Sequence, residues 1–144
     1  MPPMARKVKV HPLLTEFAGT LTATDKNVEK ARAFVWKKWQ ERADELGRPK
    51  PKDLTGACKF ASIFARYVFG GTLRGNADHQ FLVIDGKIVD LTSGSSDVFA
   101  LDEPYRHSAH WWGNRDHVYS LESAEPRASV WAAEFLASAK RSRK

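Results

Sequence analysis

Residues 56–92, GACKFASIFARYVFGGTLRGNADHQFLVIDGKIVDLT, decide how this chain is read. Ala57, Phe60, Ala61, Ile63, Phe64, Tyr67 and Val68 make a helix over 57–69 apolar around most of its circumference. Such a helix belongs at the centre of a core. Thr55 or Gly56 is expected to cap it, and Gly70-Gly71 to end it. After a glycine-containing loop, two runs, QFLVI (80–84) and KIVDL (87–91), flank Asp85-Gly86. Asp-Gly between β-forming runs is a strong signal for a two-residue hairpin turn.

That turn fixes a register. Ile84 faces Lys87, Val83 faces Ile88, Leu82 faces Val89 and Phe81 faces Asp90. Opposed residues share a face and successive ones alternate. His79, Phe81, Val83, Ile88, Asp90 and Thr92 therefore share one face, with His79 and Asp90 as diagonal neighbours about 7–8 Å apart at the backbone. A slip of one residue would separate them. A carboxylate in an apolar strand needs a partner, and His79 is the nearest.

Cys58 is the only cysteine. It excludes an internal disulfide and a multi-thiolate zinc site. A lone thiol is often a small buried hydrophobe. At the first turn of a helix, however, unpaired N–H groups and the helix dipole favour a thiolate. The Cys58 N–H is also placed to meet an oxyanion. The expected division of labour is Cys58 as nucleophile, His79 as base and acid, and Asp90 as the group that orients His79.

Outward from this stretch, Val28, Ala31, Val35, Trp39, Ala43 and Leu46 recur at helical steps. Asp25 or Asn27 is the expected N-cap and Gly47 the stop. RPKPKD (48–53) is a connector. Thr92 to Asp97 is a turn-rich loop, 98–116 reads as irregular with a short helix, and 117–121 reads as a strand. Pro126 to Ala139 reads as a helix with Val130, Trp131, Phe135 and Leu136 inward.

His107, His110 and His117 lie near Trp111 and Trp112. Without an HExxH pattern, packing is preferred to a metal site. Trp111 and Trp112 are candidates for substrate-binding walls.

The chain has 144 residues, 42% of them hydrophobic, and a formal net charge of +6. That fits a single domain over 15–139, with a basic flexible segment over 1–14 and a basic tail over 140–144. The charge is concentrated at the ends, and no nucleic-acid-reading motif accompanies it, so nucleic acid is disfavoured as a partner. Neither a membrane span nor a secretory signal is evident, and the expected location is the cytoplasm.

GACKFASIFARYVFGG followed by DHQFLVIDGKIVDLT resembles the YunG-like proteins of bacteria and phages. The order Cys, His, Asp also resembles the wider papain-like and transglutaminase-like cysteine fold. The resemblance covers about a quarter of the chain. It implies an α+β fold with N-terminal helices and the cysteine helix packed on an antiparallel β-sheet, and it carries over Cys58, His79 and Asp90. Gln40 or Gln80 is the candidate second oxyanion donor. The expectation is thiol-dependent acyl chemistry on a peptide or protein substrate, a peptidase, amidase or acyl transferase needing no cofactor or metal. The alternative is an inactive version of the fold that binds a host protein.

Overall fold

The computed structural model describes residues 11–112 and 114–141, with Trp111 and Arg141 described by backbone alone. It is an α+β structure whose four strands form one antiparallel sheet in the order β1-β2-β3-β4: β1 Phe17–Ala18, β2 Gly70–Gly75, β3 Gln80–Ile84 and β4 Lys87–Val89. Two long helices, α1 Asp25–Glu45 and α5 Arg115–Arg141, enclose the central α2, Cys58–Phe69. Two single-turn helices, α3 Ser96–Phe99 and α4 Ala109–Trp112, lie in the segment between sheet and α5.

The apolar circumference of α2 is buried as its sequence requires. Ala61, Ile63, Phe64, Ala65 and Val68 are all buried. Phe64 meets Phe34 of α1 and Phe135 of α5, at ring separations of 5.7 and 5.6 Å. Phe60 meets Trp39 and Trp131 on the next turn. Leu73 of β2 and Leu82 of β3 are directly opposed and join the same core. Burial of such side chains contributes roughly 1.5–3 kcal/mol each.

The hairpin has the expected register: Leu82 pairs with Val89, Val83 with Ile88 and Ile84 with Lys87. Asp85 and Gly86 both have positive φ, 50° and 77°, as a tight primed turn demands. Phe81 and Asp90 lie beyond the last ladder pair, because β4 ends at Val89.

Several expectations are corrected. The N-cap of α1 is Thr24, whose hydroxyl accepts from the Asn27 N–H, rather than Asp25 or Asn27. Ala57 occupies the N-cap of α2, with no side-chain cap, in place of Thr55 or Gly56. Gly70 and Gly71 end α2 and also open β2, where a glycine-containing loop was expected.

Residues 117–121 are helical, part of a 27-residue α5 that continues through Pro126. Val130 is 56% exposed, while Trp131 and Phe135 are buried. Leu46, expected on the inner stripe of α1, is exposed too.

At the N-terminus, residues 11–14 are packed rather than loose. Leu13 is buried, and the Arg66 guanidinium donates to the Pro12 and Thr15 carbonyls. At the other end, residues 140 and 141 belong to α5, not to a tail. The remainder of both expected tails lies outside the described residues.

Candidate active site

Asp90 is the anchor. Immediately after β4 the chain turns, and Thr92 folds back on the carboxylate: its N–H and hydroxyl both donate to Oδ1, at 3.0 and 2.9 Å. The other oxygen, Oδ2, accepts from His79 Nε2 at 2.7 Å and from the Tyr105 hydroxyl at 3.1 Å. Arg32 of α1 fixes the backbone at this corner, donating to the carbonyls of Asp90 and Leu91 and to the Ser93 hydroxyl. Four donors around one carboxylate offset its removal from water.

His79 reaches that carboxylate because of the turn before it. In GNADHQ the Asn76 side chain accepts from the Asp78 and His79 N–H groups, and the Asn76 N–H donates to the His79 carbonyl. This is the local side-chain turn that asparagine favours. Gly75 makes it possible. Its φ is +145°, and a Cβ there would lie 2.3 Å from the His79 carbonyl oxygen.

His79 is 1% exposed and Asp90 9% exposed. Burial pulls the His79 pKa down. The hydrogen bond and charge of Asp90, together with the influence of Cys58, outweigh it and raise the value to about 9. Burial likewise pushes Asp90 up, but the His79 bond and the Thr92 donors hold it below its ordinary value. With Nε2 committed to Asp90, Nδ1 is the ring nitrogen that the carboxylate leaves open.

Cys58 opens α2 and is half-buried. As the first helical residue it has no intrahelical acceptor for its N–H. The two preceding amides are occupied: Gly56 N–H donates to Asp97 Oδ2 and Ala57 N–H to the Leu54 carbonyl, each at 3.0 Å. Asp53 clamps the same loop to α3, accepting from Thr55 N–H and from the N–H and hydroxyl of Ser96. The nucleophile candidate thus sits on a braced helix start.

The sulfur donates to Gln80 Oε1 at 3.0 Å, and Gln80 Nε2 is held by the Asn76 carbonyl. Gln80 faces the sulfur with its oxygen, an acceptor, so in this geometry it is not an oxyanion donor. Gln40 lies on α1, with no hydrogen bond to Cys58 among the described residues.

The structure therefore pairs His79 with Asp90 directly and sets the Cys58 sulfur against Gln80, the residue next to His79. It does not give Trp112 an open wall. That side chain is buried, its indole N–H donates to the Gly75 carbonyl at 2.8 Å, and its ring packs against His117 at 4.8 Å. The side chain of Trp111 lies outside what is described.

The nearby histidines divide. His107 Nδ1 accepts from the Gly75 N–H. His117 is buried, and burial with Lys59 nearby lowers its pKa to about 4. Among the described residues no group of three metal-ligating side chains is assembled.

Tyr105, Thr92, Asn76 and Arg32 were missed as members of this site. For Thr92 and Asn76 a signal existed, in the Asp-x-Thr and Asn-x-Asp-His turns. For Tyr105 and Arg32 there was none.

Two surface depressions flank α1. A groove of about 690 Å³ between α1 and α5, lined by Arg42, Phe60 and Trp131, contains none of these residues. A depression of about 540 Å³ between α1 and β4 reaches the outer side of Asp90 and Tyr105. No helix of the described residues is long and apolar enough to cross a membrane. Comparison with family models, curated proteins and solved structures finds no match.

Proposed function

We propose that the protein performs cysteine-dependent acyl chemistry on an amide or ester of a peptide or protein: a peptidase, an amidase or an acyl transferase. The observation that supports this most is a buried imidazole–carboxylate pair whose proton affinity is also raised by the chain's single cysteine, at a helix start. A buried His–Asp pair alone fits a structural role. Coupling of that histidine to a half-exposed cysteine favours chemistry. The order of cysteine helix, histidine and aspartate around an antiparallel sheet favours the papain-like or transglutaminase-like class of fold, and kinship with YunG-like proteins rests on the sequence motifs.

In this mechanism the reactive form is a Cys58 thiolate beside a His79 imidazolium. Ionisation of Cys58 ends its hydrogen bond to Gln80. Sγ attacks the substrate carbonyl carbon, and the carbonyl π electrons move to oxygen, where the Cys58 N–H receives the oxyanion. On collapse the bond to the leaving amine breaks, and the amine takes the proton from His79 Nδ1. The thioester is then attacked by water or an acceptor amine, whose proton passes to Nδ1 as the thiolate leaves. Asp90 holds the Nε2–H throughout.

The test uses the single thiol. Iodoacetamide should label Cys58 of the folded protein readily at pH 6, and His79→Ala should slow labelling roughly tenfold. p-Nitrophenyl acetate should leave a transient acetyl group on Cys58, read by intact mass. An inert Cys58 in the folded protein, or equal rates with and without His79, would overturn the catalytic reading and leave a binding role.

A further inference from the structure

We propose that Tyr105 is a positioning residue for the catalytic pair, its hydroxyl sharing Asp90 Oδ2 with His79 and thereby setting the proton affinity of the imidazole. The proposal rests on the catalytic reading above.

The geometry is specific. Tyr105 O–H and His79 Nε2–H converge on one oxygen, at 3.1 and 2.7 Å, while Thr92 occupies the other. The Tyr105 ring also meets His79 and Phe81 edge-on, at 5.9 and 5.3 Å. The ring thus packs on the imidazole as well as bonding the carboxylate.

The segment that carries Tyr105 is tied down at the other end of the same pair. Asn76 Nδ2 donates to the Arg106 carbonyl, Gly75 N–H to His107 Nδ1, and Ser108 N–H to the Gly75 carbonyl. One loop thus grips the turn that delivers His79 and the carboxylate that receives it. Burial and the adjacent Asp90 charge raise the Tyr105 pKa to about 12, which keeps the hydroxyl a donor.

A hydroxyl donating to Oδ2 draws negative charge away from the oxygen that binds His79. Removing it leaves a more basic carboxylate and a more strongly held imidazolium. Tyr105→Phe keeps the ring and deletes only the donor. It should raise the His79 pKa by up to about one unit, followed by NMR of the ring protons, and move the His79-dependent inflection in the pH profile of Cys58 alkylation in the same direction. In an Asp90→Asn background the same change should shift neither.

An unchanged His79 titration in Tyr105→Phe, even with a lowered melting temperature, would reduce Tyr105 to a packing residue. A shifted titration with Cys58 reactivity independent of His79 in the wild type would keep Tyr105 as the partner of Asp90 and overturn catalysis instead.

Discussion

At the scale of single residues, the decisive balance is between desolvation and pairing. Removing an imidazolium and a carboxylate from water costs several kcal/mol each, and only close geometry with extra donors offsets this. His79 and Asp90 meet those terms through the 2.7 Å bond and the Thr92 and Tyr105 donors. Asp90→Asn keeps the shape and removes the charge. Burial is then opposed only by Cys58, and the His79 pKa should fall by more than one unit from about 9. NMR titration of the ring checks this, and alkylation of Cys58 at pH 7 should slow at least tenfold, since one pKa unit represents a factor of ten. The pairing was legible in the sequence, because Asp85-Gly86 fixes which residues share a face. Tyr105 was not, since no periodicity links a loop residue to a strand end 15 positions earlier.

At the scale of elements, a strand with few strand-forming residues supports the site. β2, GGTLRG, has only Thr72 and Leu73 as ordinary strand formers. Its glycines read as loop, yet Gly71 and Gly75 are where β3 comes too close for side chains. A Cβ on Gly71 would stand 2.4 Å from the Val83 carbonyl oxygen. Steric need between strands overrode propensity, which is why β2 was not legible. The opposite error fell on 117–121: HVYSL is rich in strand formers, but Asn114 caps its amides, accepting from Asp116 and His117 N–H, and Leu121 is buried in the core. The close approach at Gly75, where a Cβ would meet the His79 carbonyl oxygen, makes it the fragile point of the site. Gly75→Ala should destabilise the fold by about 2–3 kcal/mol in urea melts and displace His79, so that Cys58 alkylation slows even under conditions where the variant is folded. Full reactivity in folded Gly75→Ala would mean that the turn does not set the histidine.

At the scale of the whole molecule, two buried histidines of opposite character bound the pH range of stability. His79 has a raised pKa, about 9 against about 6.5 when unfolded. Its contribution is full below pH 6.5 and is lost as pH rises through 9. His117 has a lowered pKa, about 4, because burial and Lys59 disfavour its charged form. Below pH 6.5 the unfolded chain binds a proton that folded His117 refuses, so stability falls from pH 6.5 towards 4. Asp90, held below its ordinary value, adds a further loss at lower pH. Each histidine can tilt the stability curve by at most about 1.4 kcal/mol per pH unit. The folded state should therefore be most stable near pH 6.5, with the alkaline limb carried by His79 and the acid limb by His117 together with His107, whose pKa is also lowered. In urea melts across pH 4–9, His117→Gln should flatten the acid limb between 4 and 6.5 and leave the alkaline limb. His79→Ala should do the reverse. The slopes decide the matter rather than the absolute stabilities, since either substitution also changes packing. An acid limb as steep in His117→Gln as in the wild type would show that His117 takes up its proton without leaving the core.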